Sequence, residues 1–184
     1  MTKKALLLID IQDGLDQLDF YGGQRNNSNA EVNCSRLLQF FRDRNCPIFH
    51  IKHNSTNEDS PLHPSKQGNQ IKAMVAPAHG EPVIEKQMNS AFVDTKLKEL
   101  LDEQEIEDVV IVGLTTEHCI SSTARMAANL GYQVQVVSDA TAAFNKIGIR
   151  GESYDAETIH FTSLATLKGE FAEIIDTQTV LGEN

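Results

Sequence analysis

The 184-residue sequence predicts an α/β fold: a three-layer αβα sandwich with a Rossmann-like, mostly parallel sheet of six strands in the order 3-2-1-4-5-6. Three observations carry that prediction. Short apolar runs at residues 5–9 and 109–112 lack polar alternation, as expected of parallel strands buried on both faces. Between such runs, apolar residues recur at helical spacing. Polar residues and glycines close the runs, and regular alternation of this kind implies right-handed crossovers that put strands 1 and 4 side by side at the topological switch point.

Residues 5–9 form the first strand, and Asp10 stands at its C-terminal end, where open α/β sheets keep their sites. A glycine- and asparagine-rich loop follows. Ser28 and Glu31 have the spacing of a capping box, and Ala30, Cys34, Leu37, Leu38 and Phe41 then repeat along one helical face. Residues 48–51 make the second strand. The polar stretch 52–80, with Pro61, Pro64 and Pro77, is long for a connection in a compact domain and is expected to wall a pocket. Residues 83–85 make the third strand, ending at Lys86. Ser90 is placed to cap a helix whose Phe92, Leu97, Leu100 and Leu101 face inward. Residues 109–112 are the fourth strand, and the helix after Cys119 ends near Gly131. A fifth strand at 132–137, a helix over about 154–168 and a sixth strand at 171–175 complete the alternation.

Composition narrows the setting. The length suits one domain spanning 1–184. A net charge of −10, with no local basic block, argues against nucleic acid as a partner. Cys34, Cys46 and Cys119 are too few and too odd in number for a disulfide framework, which points to a reducing, cytoplasmic compartment. Lys3 and Lys4 precede an apolar run too short for a signal peptide, and no run approaches the roughly 20 residues of a membrane span.

The chemistry centres on Cys119. It follows a buried strand, the Gly113 that ends it and a polar Thr115-Thr116-Glu117-His118 turn, at the start of a helix. A thiol there is expected to ionise easily beside oxyanion donors. Asp10 and Lys86 stand at the ends of two other strands that the topology brings to the same crevice. A carboxylate to move the proton, an ammonium to hold it in place and a thiol nucleophile are the parts of acyl transfer. Cys34 falls on a core-facing stripe, and neither it nor Cys46 is given a chemical role.

The segments LLLIDIQDG, VIEKQMNSAF, VIVGLTTEHCISSTARMAANLGYQVQVVSDATAAF and HFTSLATL together make the sequence resemble the isochorismatase-like cysteine hydrolases, a superfamily that includes nicotinamidases and carbamoylsarcosine and ureidoacrylate amidohydrolases. The resemblance implies Asp10 as general base and acid, Lys86 as electrostatic partner and Cys119 as nucleophile. It also implies a cis peptide between Leu114 and Thr115, an oxyanion hole from the N–H groups of Thr115 and Cys119, and a homo-oligomer. Since isochorismatases proper lack the cysteine, it favours a small amide, cleaved with water through a thioester. Gln12, His53, Phe92 and Glu117 are the candidate substrate contacts. The metal site of nicotinamidases is not expected: His50 and His53 are split by Lys52 without an adjoining Asp, so neither metal nor cofactor enters the reading.

Two rivals stand beside it. Cys119 and Arg125 satisfy the C-x5-R spacing of cysteine phosphatases, but residues 120–124 contain no glycine for a tight phosphate cradle. A non-catalytic small-molecule-binding protein of the same fold would have little reason to gather Asp10, Lys86 and Cys119.

Overall fold

A computed structural model describes residues 3–182. One sheet runs in the order β3-β2-β1-β4-β5-β8, from β1 (Lys4–Ile9), β2 (Ile48–His53), β3 (Val83–Lys86), β4 (Asp108–Leu114), β5 (Gln133–Ala142) and β8 (Glu173–Ile175), all paired in parallel. A small antiparallel hairpin, β6 (Lys146–Ile147) with β7 (Ser153–Tyr154), stands apart from it. The expected six-strand order is therefore the order found, with the hairpin an addition that the sequence pattern did not reveal.

The apolar runs are central strands for the reason their pattern implies. Successive side chains of β1 enter opposite layers: Ala5, Leu7 and Ile9 join one core with helices α3 (Leu97–Glu103), α4 (Ser121–Asn129) and α5 (Ala156–Leu167). Leu6 and Leu8 join the other, under α2 (Ala30–Asp43) and the C-terminal α6 (Thr177–Leu181). Asp155 begins α5 by accepting the Thr158 N–H at 2.7 Å.

Gly113 lets β4 lie where it does. Its φ is +117°, and a Cβ there would sit 2.0 Å from the carbonyl oxygen of Ile9 on the neighbouring strand. Beyond this point the pairing shifts, Ile111 facing Val136 but Gly113 facing Thr141, so β5 runs on to Ala142 instead of stopping near residue 137.

Two expected helix starts are corrected. Ser28 and Glu31 form no capping box: Asn29 occupies the cap position without a side-chain bond, and Glu31 is taken by Arg25 at 2.6 and 2.8 Å and by Lys72 at 3.0 Å. Ser90 caps no helix either. Its Oγ accepts the Phe92 N–H within a series of turns, and α3 begins only at Leu97.

Candidate active site

Three strand ends deliver Asp10, Lys86 and Cys119 to one point. Asp10 follows β1 in the left-handed region at φ +52°, so the chain turns sharply out of the sheet. Lys86 ends β3, and Cys119 lies in a π-helical turn over Thr116–Ile120 that runs into α4. The peptide bond between Leu114 and Thr115 is cis. The Thr115 carbonyl accepts N–H bonds from both His118 and Ile120, winding the turn that carries the thiol.

The Lys86 ammonium is the hub. It donates to Asp10 Oδ2 at 2.7 Å, to Cys119 Sγ at 3.3 Å and to the Met88 carbonyl at 3.1 Å, and it lies 3.2 Å from Nδ1 of His53. An ammonium has three N–H groups, already directed at the three acceptors, so the Nδ1 contact is a fourth and at most shares one of them. Burial, with Lys86 beside it, lowers the His53 pKa and keeps the ring neutral. Burial works against the charge on Lys86, but the contacts around it, led by the Asp10 carboxylate, outweigh it and raise its pKa.

Cys119 differs from expectation. Burial first, and the Asp10 carboxylate second, push its pKa upward, while Lys86 pulls it down by less. The resting thiol therefore keeps its proton. The helix start that suggested an easily ionised thiol is outweighed by desolvation. Asp10 Oδ1, which is buried and has no hydrogen-bond partner among the described residues, is free to accept that proton.

Asp10 and Cys119, with Lys86 behind them, open on a cavity of about 150 Å³, walled by Leu15, Leu62 and Phe144 on its apolar side and by Tyr21, Ser60, Asn89, His118 and Lys146 among its polar groups. His53 and Thr115 also line it. Gln12 does not: it is wholly buried, its amide donating to the carbonyls of His53 and Asn69 and its Oε1 accepting the His53 N–H, so it holds the wall from behind. Phe92 also lies elsewhere, its ring stacked on Tyr132 with centroids 5.9 Å apart. Because the helix starts only at Leu97, Phe92 lies in the turns before it and packs against the core that holds Leu97 and Leu101. Glu117 stands behind the cavity, its Oε1 3.0 Å from Lys146. Sequence reasoning passed over Tyr21, Ser60 and Lys146 because each sits in a loop or short element with no periodic or motif signal, and it passed over Asn89 although that residue lies within the quoted segment VIEKQMNSAF.

Arg125 turns away from the thiol. It bonds Thr166 on α5 at 2.9 Å and lies over the Phe171 ring, leaving the phosphatase reading without its anion clamp. His50 shares nothing with His53: its Nε2 meets Glu81 at 2.8 Å. Asp10, His53 and Cys119 each bring an atom of metal-ligating type within 4.8 Å of the others. The Lys86 ammonium already lies against all three, and a second cation there would meet its repulsion.

The family model for the isochorismatase domain matches residues 4–179. YrdC of Bacillus subtilis (strain 168), an uncharacterized isochorismatase family protein, is 44% identical over 98% of this chain and 96% of its own. A solved structure from Chromobacterium violaceum ATCC 12472, assigned to the hydrolases of the isochorismatase family, superposes with a TM-score of 0.93 at 38% identity, over 98% of this chain and 93% of that one. Nicotinamidase 3 of Arabidopsis thaliana is 27% identical across 94% of this chain and 84% of its own length.

Proposed function

This chain belongs to the isochorismatase family, and from that premise we propose that it is a cysteine-dependent amidohydrolase acting on a small amide. One observation carries the reading: a buried ammonium contacts both a carboxylate and a thiol, and those two groups line one small cavity. That arrangement holds an acceptor and a nucleophile in fixed relation, which is what acyl transfer through sulfur requires.

The steps follow from the protonation states. With the amide bound, the Cys119 proton passes to Asp10 Oδ1 as the sulfur attacks the carbonyl carbon, and the carbonyl electron pair moves onto its oxygen. The N–H groups of Thr115 and Cys119 are the proposed donors to that oxyanion. Collapse breaks the C–N bond, and the leaving nitrogen takes the proton from Asp10, releasing ammonia or an amine and leaving a thioester. Water then gives a proton to Asp10 and its oxygen to the acyl carbon. When the C–S bond breaks, the sulfur recovers that proton, a carboxylic acid departs and the resting site is restored.

The test is ammonia release from a panel of small amides, including nicotinamide and ureido and carbamoyl compounds, by the native chain and by Cys119→Ala. Release that vanishes in the variant supports the reading. Release that persists in Cys119→Ala, or silence across the panel, counts against it.

A further inference from the structure

We propose that Lys146 and Tyr21 form an anion subsite within the catalytic cavity, so that the substrate is a compact amide bearing a carboxylate a few atoms from its scissile carbonyl. This rests on the amide reading above and gives it a substrate class.

Tyr21 supplies the first observation. Its hydroxyl is buried and lines the cavity, where Ser60 is its nearest polar side chain but makes no hydrogen bond of full geometry with it, so its hydrogen-bonding capacity is left largely unused among the described residues. The ring is held by stacking on Phe144, with centroids 5.1 Å apart. Burial pushes its pKa up to about 12, so the group remains a donor. A buried hydroxyl left unpaired is costly, and an acceptor brought by a ligand removes that cost.

Lys146 is an independent observation. Its side chain is 30% exposed and lines the cavity, whereas the Glu117 carboxylate that steadies it is 9% exposed and contributes no lining. Both Glu117 oxygens are buried and lack hydrogen-bond geometry to any described residue, so the pair is a charge contact alone. The ammonium is thus fixed by a charge behind it and keeps its N–H groups for the cavity in front. The pair is neutral as a whole, but a ligand in the cavity meets only its positive half.

Position sets the orientation of the ligand. Tyr21 and Lys146 also line the neighbouring surface groove with Gly22, Asn145 and Tyr154, whereas Asp10 and Cys119 do not. The two donors therefore mark the groove side of the cavity. A carboxylate placed against Asp10 would meet a like charge, so the anionic end belongs beside Lys146 and the amide beside Cys119. Lys146 and Cys119 line the same cavity of about 150 Å³, so only a few atoms separate the two ends, and the groove side stays open beyond the carboxylate.

Isosteric pairs test this. Succinamate and malonamate carry the carboxylate; succinamide and malonamide replace it with a neutral amide of the same shape. The native chain is expected to favour the anionic member in kcat/KM. That preference should fall at least tenfold in Lys146→Met, mainly through KM, should fall in Tyr21→Phe, and should be largely kept in Lys146→Arg. A preference unchanged by Lys146→Met overturns the proposal. Calorimetry on Cys119→Ala separates this failure from failure of the amide reading. Succinamate bound by Cys119→Ala and lost in Cys119→Ala/Lys146→Met supports the subsite whatever the turnover shows. Binding of neither succinamate nor malonamate, or binding indifferent to Lys146, overturns it.

Discussion

Lys86 Nζ lies 2.7 Å from Asp10 Oδ2, with the two side chains 0% and 3% exposed, while the other Asp10 oxygen is buried without a hydrogen-bond partner among the described residues. A buried ion pair that leaves one acceptor unsatisfied is a poor way to stabilise a fold. It is a good way to keep a proton acceptor ready. Asp10→Asn, Lys86→Met and Cys119→Ala are each expected to lower kcat by at least about three orders of magnitude, because the groups act as a unit. Lys86→Met strands a buried carboxylate and should also cost about 3–5 kcal/mol in denaturant unfolding. The double variant Asp10→Asn/Lys86→Met should recover much of that stability but none of the activity.

Alkylation of Cys119 reads its ionisation directly. Because burial and Asp10 raise its pKa, the rate with iodoacetamide, in a Cys46→Ser background, should be slow at neutral pH and climb steadily into the alkaline range. A plateau below pH 8 would show instead a resting thiolate held by Lys86.

Gly113→Ala tests the close approach of β4 to β1. The added methyl would meet the Ile9 carbonyl at 2.0 Å, with φ at +117°. A loss of about 3 kcal/mol or more is expected from the combined clash and strain. Stability within 1 kcal/mol of the native chain would mean that the strands separate easily.

Glu81 makes acid sensitivity specific. Hydrogen bonding from Arg42 lowers its pKa from 4.5 to about 2, so its contribution to stability is present above 4.5 and is lost as pH falls towards 2. His50, whose pKa burial lowers, adds a contribution that fades as pH falls below its ordinary 6.5. Glu81→Gln should therefore lower the unfolding temperature at pH 7 by about 2–4 °C, with the gap to the native chain closing on acidification. A gap that is constant with pH would remove the carboxylate's charge from the account.

Phe92→Leu separates core from pocket. The ring stacks on Tyr132 and not on the cavity, so the substitution should lower stability by about 1 kcal/mol and leave KM for a small amide unchanged. A shift in KM would place the ring in the substrate's path.

The sheet was legible because burial on both faces leaves a plain mark: residues 5–9 and 109–112 are apolar without interruption, and only central parallel strands require that. Strand order then set Asp10, Lys86 and Cys119 along the same end of the sheet, after β1, at the end of β3 and after β4, without knowledge of any loop. The cavity wall was not legible for the converse reason. Tyr21, Ser60 and Lys146 reach it from segments whose course depends on tertiary contacts, and no periodicity encodes those. Desolvation of Cys119 was equally hidden, since it comes from residues distant in the chain.

The amide of Gln12 and the amide of Asn69 both bond the backbone of His53, and Asn69 reaches on to the Leu62 carbonyl. The loop after β1, the end of β2 and the long excursion beyond it are thereby laced into one panel. The two loops of this chain therefore hold their course as a pair: replacing either one alone would break the lacing that fixes the other.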